Sequence, residues 1–280
     1  MKKFNLLFIV LMCPLYIICQ QLEVVGEVIA DSIDVQSGTI KNIADPTSAQ
    51  DAATKAYVDL LQTTVDSLEI LVQDLQGVRD IDNNKYNVVT IGTQTWMAEN
   101  LKTTRYNDGT SIPLVTSATD WTTAHTNGTD AYCWQSNNIS NLIEYGALYN
   151  WYALDTMSNG NKKICPIGWH VPTDAEWTTL TTFLGGDLVA GGKMKEVGPV
   201  HWSTPNIGAT NETGFTSLPG GYRSSTSGMF FSLNFNGYWW SSNEMDSTDA
   251  WFLENKVGTI TAQIFSYDKG GGMSVRCLKD

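Results

Sequence analysis

Residues 165–180 read Cys165-Pro166-Ile167-Gly168-Trp169-His170-Val171-Pro172-Thr173-Asp174-Ala175-Glu176-Trp177-Thr178-Thr179-Leu180. Thr173 and Glu176 have the spacing of a capping box, in which the hydroxyl takes one free backbone N–H of a helix start and the carboxylate takes another. A helix therefore begins at Thr173. Trp177, Leu180 and Leu184 give it an inward face, and Gly185-Gly186 stops it. Downstream, strand candidates fall around Phe215–Leu218, Met229–Phe235, Tyr238–Ser242, Ala250–Glu254, Thr259–Phe265 and Met273–Leu278, separated by glycine-rich turns. Upstream, Tyr86–Ile91 reads as a strand, and the apolar run Glu144–Ala153, with Leu148, Trp151 and Tyr152, reads as a second helix. Two helices followed by an antiparallel sheet make an α+β head.

This head covers residues 80–280 and holds all ten tryptophans. Only 16% of the 280 residues are charged, and the net charge is −12. Together with abundant Thr, Ser, Asn and Gly, that composition suits an extracellular β-rich protein better than a cytosolic enzyme. An acidic surface repels phosphate backbones, which argues against nucleic acid as a partner.

The chain opens Met1-Lys2-Lys3, runs apolar from Phe4 to Ile18 and turns polar at Gln20-Gln21. This is the three-part pattern of a secretory signal, and the run is too short to span a membrane. Residues 1–19 are expected to be cleaved, placing the protein outside the cell, secreted or on the outer surface. Lipidation of Cys19 is the alternative, disfavoured because Ile18 is large where a small residue is wanted. Removing residues 1–19 takes two of the 17 basic side chains and none of the 29 acidic ones, so the charge moves to about −14.

Residues 20–57 form short stretches of Val and Ile without aromatics until Tyr57, read as a β stalk that needs partner chains to bury its apolar residues. From Val58 the pattern becomes heptads. Val58, Val65 and Val72 occupy a positions and Leu61, Leu68 and Leu75 occupy d positions of a coiled coil over residues 58–79. Gly77 ends the helix. Valine at a with leucine at d leans towards two strands. However, Gly38-Thr39-Ile40-Lys41-Asn42-Ile43-Ala44-Asp45-Pro46-Thr47 and the following Asp51–Asp59 segment resemble the repeat of trimeric phage tail fibres and related bacterial surface proteins. That resemblance implies a homotrimer, which is the expectation adopted.

Three cysteines follow the leader: Cys133, Cys165 and Cys277. Outside the cytoplasm two of them can pair and one remains over. Without a CxxC or a Cys/His cluster, a zinc site is not expected.

Six segments of the head resemble the Fibrobacter succinogenes major paralogous domain, a family of exported bacterial proteins. They are Gly92–Leu101 (GTQTWMAENL), Tyr145–Trp151 (YGALYNW), Cys165–Thr173 (CPIGWHVPT), Leu218–Arg223 (LPGGYR), Tyr238–Ser242 (YWWSS) and Ser274–Cys277 (SVRC). The resemblance implies a C-type-lectin-like fold, in the branch that also holds formylglycine-generating enzymes, with no catalytic activity established for the family. It also implies a bridge from Cys165, ahead of a helix, to Cys277 in the last strand, where lectin-like folds tie their ends together, with Cys133 a buried free thiol. The cysteine pair near the groove of formylglycine-generating enzymes is not visible here.

The candidate sites are weighed on this frame. His125, His170 and His201 are scattered, and His170, between Trp169 and Val171, suits a structural role better than a general base. Asn243, Glu244, Asp246 and Asp249 could supply oxygens to calcium, but the loop lacks the Glu-Pro-Asn signature of sugar-binding lectins, and a solvated acidic turn is favoured. No cofactor is therefore expected. Trp239-Trp240 point to opposite faces of a strand, which puts one in the core and the other outside, free to stack on a sugar or anchor a protein. Tyr222, Tyr238 and Trp251 are the companion candidates, on a ligand surface expected along the excursions between Gly185 and Asp249. The expected function is adhesin-like, non-catalytic recognition of a glycan or protein surface from an oligomeric stalk. A purely structural surface protein is the second reading and a formylglycine-type enzyme the third.

Overall fold

The computed structural model describes residues 55–157 and 159–280. The expected signal peptide and nearly all of the β stalk lie outside these residues. The chain divides into two compact units, residues 1–67 and 68–280. Across the boundary runs helix α1, Lys55–Gln76. It starts earlier than the expected coiled coil and ends at Gly77, whose φ of +79° no side chain tolerates easily. Residues 78 and 79 do not continue it: β1 (Val78–Arg79) pairs with β2 (Lys85–Tyr86). The described side chains Val58, Leu61, Val65 and Leu68 are all exposed.

The second unit is mixed α+β, built on two antiparallel sheets and three shorter pairings. One sheet is β10 (Asn236–Glu244), β11 (Asp249–Lys256) and β12 (Ala262–Asp268). The other sets β3 (Val88–Ile91), β4 (Gln94–Met97), β13 (Leu278–Lys279) and β7 (Trp169–His170) side by side. Four helices belong to this unit in place of the two expected: α2 (Ala118–Asn127), α3 (Ile139–Tyr145), α4 (Asp174–Phe183) and α5 (Asp187–Met194). Helix α4 starts on the Thr173–Glu176 capping box, with both reciprocal bonds present.

The apolar run Glu144–Ala153 is not a helix. Gly146 takes φ +78° and ends α3, and a Cβ there would lie 2.7 Å from the Asn100 side chain. The chain then becomes β6 (Ala147–Tyr149), paired with β5 (Tyr132–Trp134), and a 3-10 turn at Trp151–Ala153. A fully buried strand and a buried helix carry the same apolar pattern, and only the glycine separates them. Helix α5 follows the Gly185-Gly186 stop at once. Its Gly191 allows close packing, since a Cβ there would sit 2.1 Å from the Thr261 carbonyl oxygen. Three strand candidates shrink. Phe215–Leu218 keeps a single bridge, Ser217 to Lys195; Met229–Phe235 keeps β9 (Phe230–Phe231), paired with β8 (Tyr222–Arg223); Met273–Leu278 keeps Leu278 in the sheet plus bridges from Met273 and Ser274.

Cys165 is bonded to Cys277, closing 112 residues of chain, and Cys133 is free and buried. A loop of that length contributes about 4–5 kcal/mol through the unfolded chain, less any strain.

Three wholly buried cations replace the missing regular structure. Lys195 donates to the carbonyls of Ile207, Lys256 and Thr259 at 2.7–3.0 Å. Arg223 donates to Val115, Thr116 and Gly228, and Arg276 to Phe215, Thr216 and the Asn100 amide oxygen. Exchanging Lys195 for Met keeps the apolar stem and removes the donor to three carbonyls. We predict a loss of about 3–5 kcal/mol in urea unfolding for Lys195→Met, with an unchanged m-value. A loss below about 1 kcal/mol would show that water replaces the ammonium.

Candidate functional site

The three-stranded sheet carries the expected aromatic anchors, and they are not at the surface. Trp239 and Trp240 do point to opposite faces, but both have no accessible surface. The reason is that both faces are covered. Trp239 packs with Trp96, Trp177, Leu180, Phe215 and Leu253 under α4 and α5, while Trp240 packs with Tyr149, Trp151, Phe252 and the disulfide. Each indole N–H is satisfied inside, Trp239 Nε1 on Asn100 Oδ1 at 2.7 Å and Trp240 Nε1 on the Tyr149 carbonyl at 2.9 Å. Tyr238 is buried as well; burial pushes its hydroxyl up to about 12. Tyr222 is half-buried beside it, ring centroids 5.3 Å apart, stacked on Phe231 and edge-on to Tyr267. Trp251 is half-buried. No tryptophan among the described residues is exposed.

A cleft of about 470 Å³ opens elsewhere, beside the disulfide. Leu154, Ile164, Cys165 and Val171 form apolar wall, and Trp151 and Trp169 stand in it nearly covered. The Trp151 indole donates to the Ser241 carbonyl at 2.9 Å, and the Lys269 ammonium lies 4.9 Å over its ring. The polar rim is Asp155, Lys163, His170, Asn243, Glu244 and Asp280. Of the expected ligand region between Gly185 and Asp249, only Ser242, Asn243 and Glu244 reach this cleft.

The rim is wired to α4. His170 is held from both sides, Nδ1 at 2.6 Å from Asp280 Oδ1 and Nε2 at 3.0 Å from Glu176 Oε1. Burial raises the Glu176 carboxyl, but bonds from the Thr173 N–H, the Thr173 hydroxyl and His170 outweigh it and hold the group below its usual value of 4.5. Asn243 exchanges two bonds with Asp174, and Glu244 pairs with Lys269 at 2.5 Å. The other histidines are also set against carboxylates, His201 against Glu196 and Glu144, His125 against Asp268.

The four candidate calcium oxygens do not converge. Asp246 accepts from the Thr248 N–H, the Thr248 hydroxyl and the Asp249 N–H, which hold its carboxyl below the usual range. Asp249 lies in β11 opposite Asp268. Among the described residues no group of three or more His, Cys, Asp or Glu is placed to hold a metal. The Cys133 thiol is pushed up to about 12 by burial, and a thiol in that state is not a nucleophile at neutral pH.

The cleft was not legible in the sequence because its lining joins residues 151–171 to residues 242–244 and Asp280. Trp151 was expected on a helix, and only the pairing of Cys165 pointed towards this end of the head. A model of the Fibrobacter succinogenes major domain matches residues 89–279. Searches of curated proteins and of solved structures gave no match.

Two expectations follow. Trp239→Ala and Trp240→Ala should each cost about 3–5 kcal/mol in denaturant unfolding, since both vacate packed core; a cost under 1 kcal/mol for either would place that ring outside. Glu176 titrates lower in the fold than in the unfolded chain, so its contribution is full above pH 4.5 and fades as pH falls through the folded value. Glu176→Gln should therefore flatten the acid limb of the stability–pH curve below about pH 5, as read by unfolding midpoints; an unchanged limb would remove that linkage.

Proposed function

The chain belongs to the Fibrobacter succinogenes major domain family, and from that premise we propose that it is an extracellular recognition module whose ligand seat is the cleft beside the disulfide, made multivalent by association of α1 from three copies. The observation that carries this reading is the cleft itself, a concavity of ligand size with an apolar wall and a few fixed polar groups. Of its rim side chains, His170, Asp280 and Asn243 are already engaged with one another or with α4, which suits presentation of a fixed surface to a ligand. A C-type-lectin-like fold would assign the rigid sheets and helices to support and the irregular chain to binding.

Multivalency is supported by α1. Val58, Leu61, Val65 and Leu68 keep strict heptad spacing and are about half exposed, with Leu60 exposed beside them. A helix with such a row gains most of its stability by burying it against copies of itself. Weak single sites then gain avidity through effective concentration, by 10²–10⁴-fold in ordinary cases. The charged start and apolar run of residues 1–18 support the extracellular part of this reading. No helix among the described residues is long and apolar enough to cross a membrane.

Light scattering of the chain lacking residues 1–19 should give three copies at micromolar concentration. Val65→Asp with Leu68→Asp should give a monomer with the same thermal midpoint for the head and at least a hundredfold weaker attachment to a ligand-coated surface. A monomeric parent protein, or attachment indifferent to the double substitution, would end the multivalent reading.

A further inference from the structure

We infer that the cleft takes a basic polypeptide segment, a lysine or arginine side chain flanked by apolar residues, in preference to a glycan. This rests on the reading of the cleft as the ligand seat and names what sits there.

The aromatic chemistry speaks first. A sugar ring stacks on an open aromatic face. The two tryptophans of the cleft are only 3% (Trp151) and 8% (Trp169) exposed, and the Lys269 ammonium already lies 4.9 Å over the Trp151 ring. What the lip does expose is aliphatic: Met157, which lines the cleft, is 92% accessible. Flexible aliphatic side chains of this kind pack against protein surfaces, and methionine adapts its shape to them.

The charges speak second. Counting the rim and its direct partners, five carboxylates (Asp155, Asp174, Glu176, Glu244 and Asp280) face two lysines (Lys163 and Lys269) and His170. Lys269 is spent on Glu244, and the one imidazole is shared by Glu176 and Asp280. The rim is therefore short of positive charge whichever state His170 takes. An apolar wall below an acidic rim is complementary to a side chain with an aliphatic stem and a cationic head, which lays its methylenes along Leu154, Ile164 and Val171 and leaves its charge at the edge. The volume of about 470 Å³ admits one such side chain with part of its neighbours. The chain's net charge of −12 steers a basic partner towards it over longer range.

The test uses the chain lacking residues 1–19 and fluorescence anisotropy of a labelled Gly-Ile-Arg-Ile-Gly peptide, its citrulline counterpart, and a competing panel of neutral oligosaccharides. The arginine peptide should bind at least tenfold tighter than the citrulline peptide and weaken as salt rises. Met157→Ser, which removes an apolar lip without adding charge, and the pair Asp155→Asn with Asp280→Asn should each weaken it at least tenfold, with thermal midpoints within a few degrees of the parent. Equal binding of the two peptides would overturn the inference. So would oligosaccharide binding that the cleft substitutions abolish, and in that case the cleft would still be the ligand seat. If no peptide or oligosaccharide binding responds to the cleft substitutions, both the inference and the recognition reading of the cleft fail.

Discussion

A domain with this much irregular chain has to find partners for backbone carbonyls that water cannot reach, and the buried cations meet that requirement. Leaving a carbonyl buried and unpaired costs about 1–3 kcal/mol, so a head with long inner loops folds only if donors are delivered to them. Lys195, Arg223 and Arg276 deliver donors to eight backbone carbonyls, six of them in part-buried bonds. None of the three is neutralised by a carboxylate in contact. Their charge is stabilised instead by carbonyl dipoles and by aromatic faces: Arg276 lies 4.1 Å over Phe215, and Arg223 sits against Trp121 and Phe230 at 4.5 and 4.8 Å. Burial still tells on them. The Lys195 ammonium is pushed down to about 8 and the Arg276 guanidinium, with Glu99 countering, to about 9, values that leave both charged at neutral pH.

This arrangement accounts for the burial of Trp121, Trp202 and Trp239, which lie against the three cations. A guanidinium or ammonium in the interior needs large, polarisable neighbours, and the rings that supply them cannot also face solvent. Trp239 is the clearest case, since it flanks Arg276 and shares Asn100 Oδ1 with it. The six motif segments of the family, rich in Trp, Gly and Arg, thus read as the parts of a loop-holding core. On the proposed reading, binding falls to what the core does not consume, the aliphatic lip and the acidic rim beside the disulfide.

How much of this was legible in the residues can be argued from single positions. The capping box at Thr173 and Glu176 located α4 because both partners are local. The disulfide followed from family resemblance, where two of the three head cysteines stand in matching motifs. Alternation correctly sent Trp239 and Trp240 to opposite faces, but alternation says nothing about what covers a face, and here α4, α5 and the Met273–Cys277 segment cover both. Glu144–Ala153 failed for a different reason: its largely apolar run fits helix and buried strand equally, and the deciding contact of Gly146 with Asn100 is 46 residues away in the chain. The short helices α2 and α5 were missed although Ser117 and Gly128 bracket the first and a glycine pair precedes the second. Thr-rich and Gly-containing helices of eight to ten residues have little propensity of their own, and it is tertiary packing that keeps them.

The cleft was the least legible feature, and the cause is structural. Its wall comes from the chain after β6, from the Cys165–Val171 segment and from the end of β10, brought together by one covalent bond and by the His170 bridge between Glu176 and Asp280. None of these residues carries a recognisable binding motif in its own neighbourhood. A site assembled from the supporting frame has one physical consequence: its shape is as rigid as the disulfide and the capping box that hold it, so affinity there depends little on ordering loops when a ligand arrives. Weak contacts made by such a preformed seat suit repeated display on several chains, because each seat adds its contact energy without a new ordering cost. On the proposed reading, the exposed heptad row of α1 supplies number and the cleft supplies a fixed shape.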